Sequence, residues 1–345
     1  MKKLFVFTLY NEKGASSQYR VWMFKNYLDK EFDSSWFYFW DEKYVTKYMH
    51  NKKKYCIPII FKYLLSTLKR LYQLLFFAPK ADVVLIQKQS IPKVKMTFLK
   101  RLHKKGIRIV FDVDDAVYLS SRDNSSMIAT ISDAVICGNN NLYTYYSKYN
   151  NNVYIIPTVE NTNLYKKYWR NTFDNKKIGW IGSKSTVSNL ELVVSPINRI
   201  IKRHPEVSID IISNEALDFV SRIKNSRLIV WDKDKYIEDL SKITLGIMPL
   251  YDNEFNRGKC GFKLIQYLNM KKPVVGSGVG INSEIINGNG MVVNTEIEWE
   301  KALEKILYNK SEYDKYVEKI EKNFFRKYSY EKVALEIIKI LKNEK

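Results

Sequence analysis

Cysteine, histidine and long uninterrupted apolar runs are scarce in this sequence. Its 345 residues include three cysteines and three histidines. Cys56, Cys137 and Cys260 lie far apart and form no CxxC pair, which indicates a reducing compartment and argues against a zinc site or a disulfide framework. The histidines fall outside the loops discussed below, so Ser/His/Asp chemistry is not expected. The first apolar run lasts only about six residues before Tyr10, which favours a β-strand over a signal peptide.

Basic residues outnumber acidic ones. The chain has 57 Lys and Arg against 37 Asp and Glu, a formal net charge of +20. Such a charge attracts anionic partners, among which nucleic acid, acidic lipid and nucleotide-linked substrates all qualify. A hydrophobic content of 46% excludes global disorder, and 345 residues suit two α/β domains better than one compact core.

Short apolar segments alternate with helical patterns along the chain, as a parallel sheet requires. In the first half the predicted strands span residues 3–9, 82–87, 108–113, 134–138 and 153–157, and the predicted helices span 19–32, 92–104 and 141–149. A second series of predicted strands spans 178–181, 207–212, 228–231, 245–248, 273–275 and 291–293. The pattern predicts two similar α/β domains whose ligand-binding loops follow the carboxyl ends of the strands.

Residues 55–78 form the most apolar long segment. Polar side chains from Lys62 to Gln73 recur at helical spacing, which predicts an amphipathic helix rather than a membrane span. Its apolar face is formed by Phe61, Leu64, Leu65, Leu68, Tyr72 and Leu75. We favour a core helix packed on the first sheet by this face. The alternative is a helix that lies in a membrane interface and meets a lipid-linked substrate there.

The loop at residues 11–20 has the residue types of a sugar or phosphate site. Gly14 and the serines after it let a ligand approach the backbone, and Arg20 is expected to face that ligand from the first helical turn. A helix start capped by Ser16 or Ser17 is the structural alternative.

Three carboxylates, those of Asp112, Asp114 and Asp115, crowd the end of a predicted strand. Such a cluster binds a divalent metal, acts as a base or orients sugar hydroxyls. The spacing alone leaves these roles open.

Two loops of the second half have the residue types of a phosphate site. The segment 179–186 has strand, glycine, hydroxyl and lysine in that order but lacks the Walker spacing, so a kinase or NTPase is disfavoured. The segment 249–284 presents Arg257, Lys259 and Lys263 on a glycine-containing loop before a helix, which suits a diphosphate. The turn 276–280 lacks the third glycine of a dinucleotide fingerprint, so a dehydrogenase is weakly supported.

These loops, in this order, resemble those of the GT-B glycosyltransferases, and more closely the family 4 type (glycosyl transferases group 1). The resemblance is carried by residues 14–20, 111–118, 156–160, 178–183, 246–250, 259–267 and 273–275. It implies two Rossmann-like α/β domains facing each other across a cleft. Residues 1–160 would form the acceptor-binding domain, residues 161–325 the nucleotide-sugar-binding domain, and residues 326–345 a helix that crosses back to the first.

The resemblance also implies the site residues. The donor-binding residues would be Gly14, Arg20, Gly182, Ser183, Lys184, Ser185, Lys259, Gly261, Phe262, Lys263 and Gln266. The catalytic residues would be Asp114, Asp115 and Lys263, with no metal site. Relatives carry two glutamates where this chain has Gly258 and Gln266, and Gln266 can still hydrogen-bond a ribose hydroxyl.

The expected function is sugar transfer from a nucleoside-diphosphate sugar to a glycan or polyisoprenoid-linked acceptor, with retention, without metal or cofactor, in bacterial surface polysaccharide synthesis. We expect the protein in the cytoplasm, with peripheral contact at the inner face of the cell membrane left open, and no nucleic-acid partner. The alternatives are a GT-A-like enzyme with a metal on Asp112-Val113-Asp114, a non-catalytic basic binding protein, and a nucleotide-sugar epimerase or hydrolase.

Overall fold

The computed structural model describes residues 1–95, 99–121 and 123–344, apart from the side chains of His50, Ser185 and Leu217. The chain divides into two units. One comprises Met1–Thr158 with Glu331–Lys345, and the other comprises Val159–Tyr330. Each unit has its own sheet and its own hydrophobic core.

Both sheets are parallel. The strands of the first unit are β1 (Lys2–Tyr10), β2 (Phe32–Trp40), β3 (Val83–Gln87), β4 (Arg108–Val113), β5 (Ala134–Cys137) and β6 (Val153–Ile155). Those of the second unit are β7 (Lys177–Ile181), β8 (Ser208–Ile212), β9 (Ser226–Ile229), β10 (Leu245–Met248), β11 (Val274–Ser277) and β12 (Gly290–Val293). Within the described residues the strand orders are β2-β1-β3-β4-β5-β6 and β12-β11-β10-β7-β8-β9. In each sheet the order reverses beside the first strand, where doubly wound sheets bind ligands.

The helices cover both sheets, which explains the nearly continuous apolar sequence of the central strands. The first unit contains α1 (Ala15–Arg20), α2 (Lys25–Glu31), α3 (Cys56–Tyr72), α4 (Leu99–Lys104), α5 (Ser125–Ile131) and α6 (Asn140–Tyr146). The second contains α7 (Asn163–Lys166), α8 (Lys184–Val187), α9 (Glu191–Arg203), α10 (Leu217–Arg222), α11 (Tyr236–Ser241), α12 (Glu254–Arg257), α13 (Phe262–Asn269), α14 (Asn282–Ile286), α15 (Glu296–Tyr308), α16 (Lys310–Lys319) and α17 (Phe325–Lys327). The last helix is α18 (Tyr330–Lys342).

Helix α18 packs on the first unit. The Arg108 guanidinium donates to the Ile340 carbonyl at 2.9 Å, and the Lys342 ammonium lies 2.7 Å from the Glu31 carboxylate. Val333 and Leu341 are buried. The end of the chain therefore belongs to the unit that begins with β1.

Strand β2 is missing from the sequence-based prediction, which places one helix over residues 19–32. The structure ends α1 at Arg20, inserts a 3₁₀ turn at Trp22–Phe24, and ends α2 at Glu31. Residues 36–40, Trp-Phe-Tyr-Phe-Trp, are of the types enriched in strands, so the local sequence favours β structure there. The prediction extended the preceding helix to residue 32 and assigned no strand after it. Strand β2 pairs in parallel with β1 from Phe32 to Trp40. Within the predicted helix over 92–104, residues 92–95 are not helical and Leu99–Lys104 are, and residues 96–98 lie outside the described residues.

The favoured interpretation of residues 55–78 is wrong in its orientation. Helix α3 does form, and Arg70 on its inner side is 1% exposed, with its guanidinium donating to the Ser90 carbonyl at 2.9 Å. The apolar face that we expected in the core is exposed instead, as at Leu64 and Leu68. The side that faces the first unit combines the buried Arg70 with partly buried apolar side chains such as Ile59 and Tyr63. Lys69, which belongs to the predicted polar stripe, is exposed.

Tyr267 fixes α13 against the second sheet. Its hydroxyl accepts a hydrogen bond from the Ile181 amide at 2.9 Å and donates to the Ile247 carbonyl at 3.2 Å. Its ring lies on Gly246 so closely that a Cβ there would approach the ring to 2.2 Å. The start of α13 is therefore held at the carboxyl ends of β7 and β10.

Gly246→Ala is expected to lower the free energy of unfolding by about 1–3 kcal/mol, because the added methyl group overpacks against the Tyr267 ring. Tyr267→Leu is also destabilising, since it leaves the Ile181 amide without its acceptor. The double variant should lose less than the sum, because the smaller side chain makes room for the methyl group. Denaturant unfolding of all four proteins measures the cycle, and strictly additive losses would contradict this packing.

Candidate functional site

The loop after β7 is shaped by a glycine. A Cβ at Gly182 would lie 2.4 Å from the Trp180 ring and 2.8 Å from Thr186 Oγ1, so only glycine fits. The next two residues, Ser183 and Lys184, are exposed at the start of α8. The side chain of Ser185, also expected here, lies outside the described residues. Loop 182–186 thus presents a hydroxyl and an ammonium group to solvent at a strand end.

The start of α13 also depends on a glycine. Gly261 has φ +64°, and a Cβ there would lie 2.3 Å from Ile285 Cδ1. Phe262 and Lys263 follow in the first helical turn. The amide groups of that turn have no intrahelical acceptor, and the helix dipole places partial positive charge there. The two loops of the second half that the sequence marked as phosphate-binding meet at this point, because Lys263 Nζ donates to Thr186 Oγ1 at 3.1 Å.

We call loop 182–186 together with Lys259 and Lys263 the dilysine site. Burial, and then the neighbouring charge of Lys259, lower the pKa of Lys263 to about 7. Within the described part of the chain, no carboxylate lies at ion-pair distance from Lys263. The Lys263 ammonium lies 5.5 Å from the Trp180 ring centroid, and the Lys259 ammonium lies 4.2 Å from that of Phe255. An anion bound here would be the counter-ion of the Lys263 ammonium group.

Arg257 behaves differently from the two lysines. Its guanidinium donates to both carboxylate oxygens of Asp252, at 2.6 Å and 2.9 Å. Gly258, the first position where relatives carry a glutamate, is the buried residue that ends α12. The charge of Arg257 is thus already neutralised by Asp252.

Gln266 is 5% exposed and is held by a buried carboxylate, Glu160. Glu160 is 2% exposed and accepts hydrogen bonds from the Tyr236 hydroxyl, at 3.3 Å, and from the side chain of Gln266. Burial raises the pKa of Glu160 to about 7, although these hydrogen bonds oppose the shift. The Glu160 carboxylate therefore orients the Gln266 side chain, although the sequence analysis did not assign Glu160 to the site.

One signal in the sequence marked Glu160. It is the only acidic residue between Asp133 and Asp174, in a stretch otherwise rich in Asn, Tyr and Lys. A lone carboxylate that follows a strand by a few residues has a specific partner more often than a residue within a charged surface run. The partner itself, Gln266, is too distant in sequence to be inferred.

In the first unit, the ends of β1, β3 and β4 join in one polar network. Ser16 Oγ donates to the Asp114 carboxylate at 2.9 Å and accepts from Gln87 Nε2 at 3.0 Å. Lys88 lies 3.2 Å from Asp114 and also pairs with Asp115. These three strand ends therefore place two carboxylates, one ammonium and one hydroxyl together.

The surroundings of Asp114 shift its pKa. Burial raises the pKa of Asp114 to about 6, while Lys88 opposes that shift and Asp115 adds to it. Burial also disfavours the charged form of Lys88, but Asp114 and Asp115 raise its pKa overall. Asp114 is thus ionised at neutral pH and titrates just below it, which suits a group that accepts a proton. Lys88 is a second residue that sequence reasoning missed, although it directly follows the buried strand β3.

Arg20 lies in the interior instead of facing a ligand. It is 3% exposed, and its guanidinium contacts the Asp112 carboxylate at 2.6 Å and the Ile156 carbonyl at 2.8 Å. The same ion pair engages both oxygens of Asp112, which argues against the alternative of a metal on Asp112 and Asp114. Among the described residues, no three His, Cys, Asp or Glu side chains are arranged to hold a metal ion.

Gly14, the other first-unit residue expected to bind the donor, precedes α1. A Cβ there would lie 2.3 Å from Tyr10 Cβ, so the position requires glycine for close packing. Its expected ligand contact stays a prediction. The structure thus brings together Gly182, Ser183, Lys184, Lys259, Gly261, Phe262 and Lys263 in the second unit. It places Asp114 and Asp115 together in the first.

Solved structures show the same fold. The Anabaena protein HepE, solved in complex with UDP and glucose, is similar over 99% of this chain and 100% of its own, with a TM-score of 0.70 and 11% identity. An alpha-glucosyltransferase in complex with UDP and a 13-mer DNA is similar over 99% and 100%, with a TM-score of 0.64 and 12% identity. The predicted GT-B fold is confirmed.

TarM from S. aureus, solved with UDP, fondaparinux and alpha-GlcNAc-glycerol, is similar over 75% of this chain, with a TM-score of 0.57 and 14% identity. This chain spans about half of TarM, 55% of its length. No protein-family model and no curated protein matches the sequence. The closer assignment to the family 4 type therefore stays a prediction.

Arg20→Leu is expected to lower the free energy of unfolding by about 3–5 kcal/mol, because it leaves Asp112 buried without its counter-ion. The control is Arg222→Leu, which breaks the exposed pair between Arg222 and Glu191 and should have little effect. Denaturant unfolding measures both. A loss at Arg20 no larger than that at Arg222 would show that the buried pair is not an anchor.

Glu160→Gln is expected to change how stability depends on pH. The folded-state pKa of Glu160, about 7, lies above its usual value of 4.5, so the stability that the protonated acid contributes is fully present below pH 4.5 and is lost as the pH rises through 7. The amide mimics the protonated acid. The variant should match the parent at pH 4 and be more stable at pH 8, by about 3 kcal/mol at most. Melting temperatures across this pH range test the prediction, and Glu42→Gln, at an exposed position, is the control. If the melting temperatures of the parent and of Glu160→Gln depend on pH in the same way, the raised pKa of Glu160 is refuted.

Proposed function

We propose that the chain is a glycosyltransferase that uses a nucleoside-diphosphate sugar and binds the donor's diphosphate at the dilysine site. The observation that carries the proposal is the contact between Lys263 and Thr186, which joins loop 182–186 to the first turn of α13. Backbone amides of a helix start, an exposed hydroxyl and two nearby ammonium groups are the usual means of binding phosphate oxygens. UDP is the first nucleotide to test, since HepE and TarM were solved with it.

The protonation of Lys263 gives the site a catalytic use. With a pKa of about 7 in the empty site, the amine gains its proton fully once a diphosphate lies beside it. During transfer the bond from the anomeric carbon to the diphosphate oxygen breaks, and the electron pair stays on that oxygen. Lys263 and Lys259 stabilise the resulting charge, which grows toward the transition state. This chemistry needs no metal, and we propose a metal-independent reaction with retention, in line with the family resemblance.

For the acceptor we propose the first-unit network of Asp114, Asp115 and Lys88. A sugar hydroxyl that donates to Asp114 can lose its proton as the new glycosidic bond forms. Lys88 and Ser16 hold that carboxylate in place. We propose a glycan or polyisoprenoid-linked acceptor of bacterial surface polysaccharide synthesis, with the transfer in the cytoplasm.

Binding of UDP at pH 8 is expected to take up nearly one proton, because Lys263 is largely neutral there before binding and charged afterwards. Calorimetry in two buffers of different ionisation enthalpy measures the uptake. Lys263→Met should abolish it and weaken binding by about 10- to 100-fold, the range of a lost charge-assisted hydrogen bond.

The matched control is Lys242→Met, a lysine of the same unit that pairs with Asp239. It should leave affinity and proton uptake unchanged. Equal affinity in the parent and Lys263→Met would refute the diphosphate site. Analysis of products with and without an acceptor separates a transferase from a hydrolase or epimerase, since only a transferase requires the acceptor.

A further inference from the structure

Helix α3 carries a continuous stripe of exposed apolar side chains. They recur three or four residues apart, and each is between 52% and 76% exposed. The stripe comprises Ile57, Phe61, Leu64, Leu65, Leu68 and Tyr72. The π turn at Gln73–Phe77 continues it with Phe76, which is 59% exposed. Single apolar residues on a surface are ordinary, whereas a contiguous stripe of this length marks an interaction site.

The opposite side of α3 is fixed to the first unit by polar contacts. The buried Arg70 guanidinium donates to the carbonyls of Thr8 and Phe37, each at 3.2 Å. Lys62 pairs with Asp41. Rotating the helix to bury its apolar stripe would break these contacts and leave the Arg70 charge without partners. The exposure of the stripe is therefore built into the fold.

The chain segment that carries the stripe has charged residues of one sign. From Lys43 to Ala81 the sequence contains nine Lys or Arg residues and no Asp or Glu. All of them except Lys62 and Arg70 are exposed. Exposed lysines beside an apolar stripe match an anionic lipid surface, with acyl chains below and phosphate headgroups above.

We propose that α3 is a membrane-docking helix that lies in the interface of an anionic bilayer, with the stripe inserted and the flanking lysines on the headgroups. Its 17 residues extend over about 26 Å, enough for a helix lying along the surface. No helix within the described residues is long and apolar enough to span a bilayer. Lys69 and Lys80 sit beside exposed rings, 5.3 Å from Tyr38 and 5.5 Å from Phe77, so their ammonium groups can reach the headgroup layer while the stems cover apolar surface.

A second copy of the chain fits this surface less well. A two-fold symmetric contact places the same patch on both sides, so the lysines of one copy would face those of the other. With no acidic residue between Lys43 and Ala81, the segment cannot neutralise that repulsion by itself. An anionic bilayer buries the apolar stripe in its acyl region and neutralises the lysines with its phosphate groups. The proposal rests on α3 alone and stands whether or not the chain transfers sugars.

The test is co-flotation of the full chain with vesicles of phosphatidylcholine alone or mixed with phosphatidylglycerol. The parent should float with the anionic vesicles, and high salt should weaken the binding. Leu64→Glu combined with Leu68→Glu should reduce partitioning by more than about tenfold, because two inserted side chains become charged. The melting temperature should not fall, since both side chains are already exposed.

The matched control introduces the same charges at other exposed apolar helix positions, Ile297→Glu with Leu335→Glu, and should float like the parent. Exchange of Lys52, Lys53 and Lys54 for Gln should lower binding to anionic vesicles on the order of 100-fold and leave binding to phosphatidylcholine unchanged. Failure of the parent to float, or unimpaired flotation of the Leu64/Leu68 variant, would overturn the proposal. So would a lipid-free dimer that this variant dissociates, because it would identify α3 as an interface between two copies.

Discussion

The account depends on one constraint, which is that the half-buried ammonium of Lys263 lies near a second lysine and has no carboxylate at ion-pair distance among the described residues. Lys263 is held there by the hydroxyl of Thr186 and by the placement of α13 through Tyr267. Folding has left this charge unfavourable in the empty site, as its lowered pKa shows. A bound anion reverses that penalty, so the same physics accounts for ligand binding, proton uptake and stabilisation of a departing diphosphate.

The sequence predicted both parallel sheets and the position of most strands, because strand patterns and turn residues are local. Strand β2 was missed although residues 36–40 are a run of aromatic side chains typical of strands. The loops with glycine, hydroxyl and lysine were identifiable for the same local reason. That Lys263 contacts Thr186, 77 positions away, could be expected only from the rule that ligand loops gather at carboxyl strand ends.

The errors share a cause, which is that residue type does not report the direction of a side chain. Arg20 resembled a ligand-binding residue, but Asp112, 92 positions away, takes its charge inside the first unit. The apolar face of α3 resembled a core face, but Arg70 occupies the core side in its place. Glu160 and Lys88 were missed because their partners are remote in sequence. Glu160 contacts Gln266, and Lys88 pairs with Asp114 and Asp115.

The protonation of Lys263 tests the account most directly. NMR of chain labelled with ¹⁵N at lysine, with Lys263 assigned by comparison with Lys263→Arg, follows its titration in the free and UDP-bound states. The account predicts a pKa of about 7 for Lys263 in the free protein and a large upward shift with UDP. An ordinary lysine titration near 10.4 in the free protein, or no change on adding UDP, would contradict it.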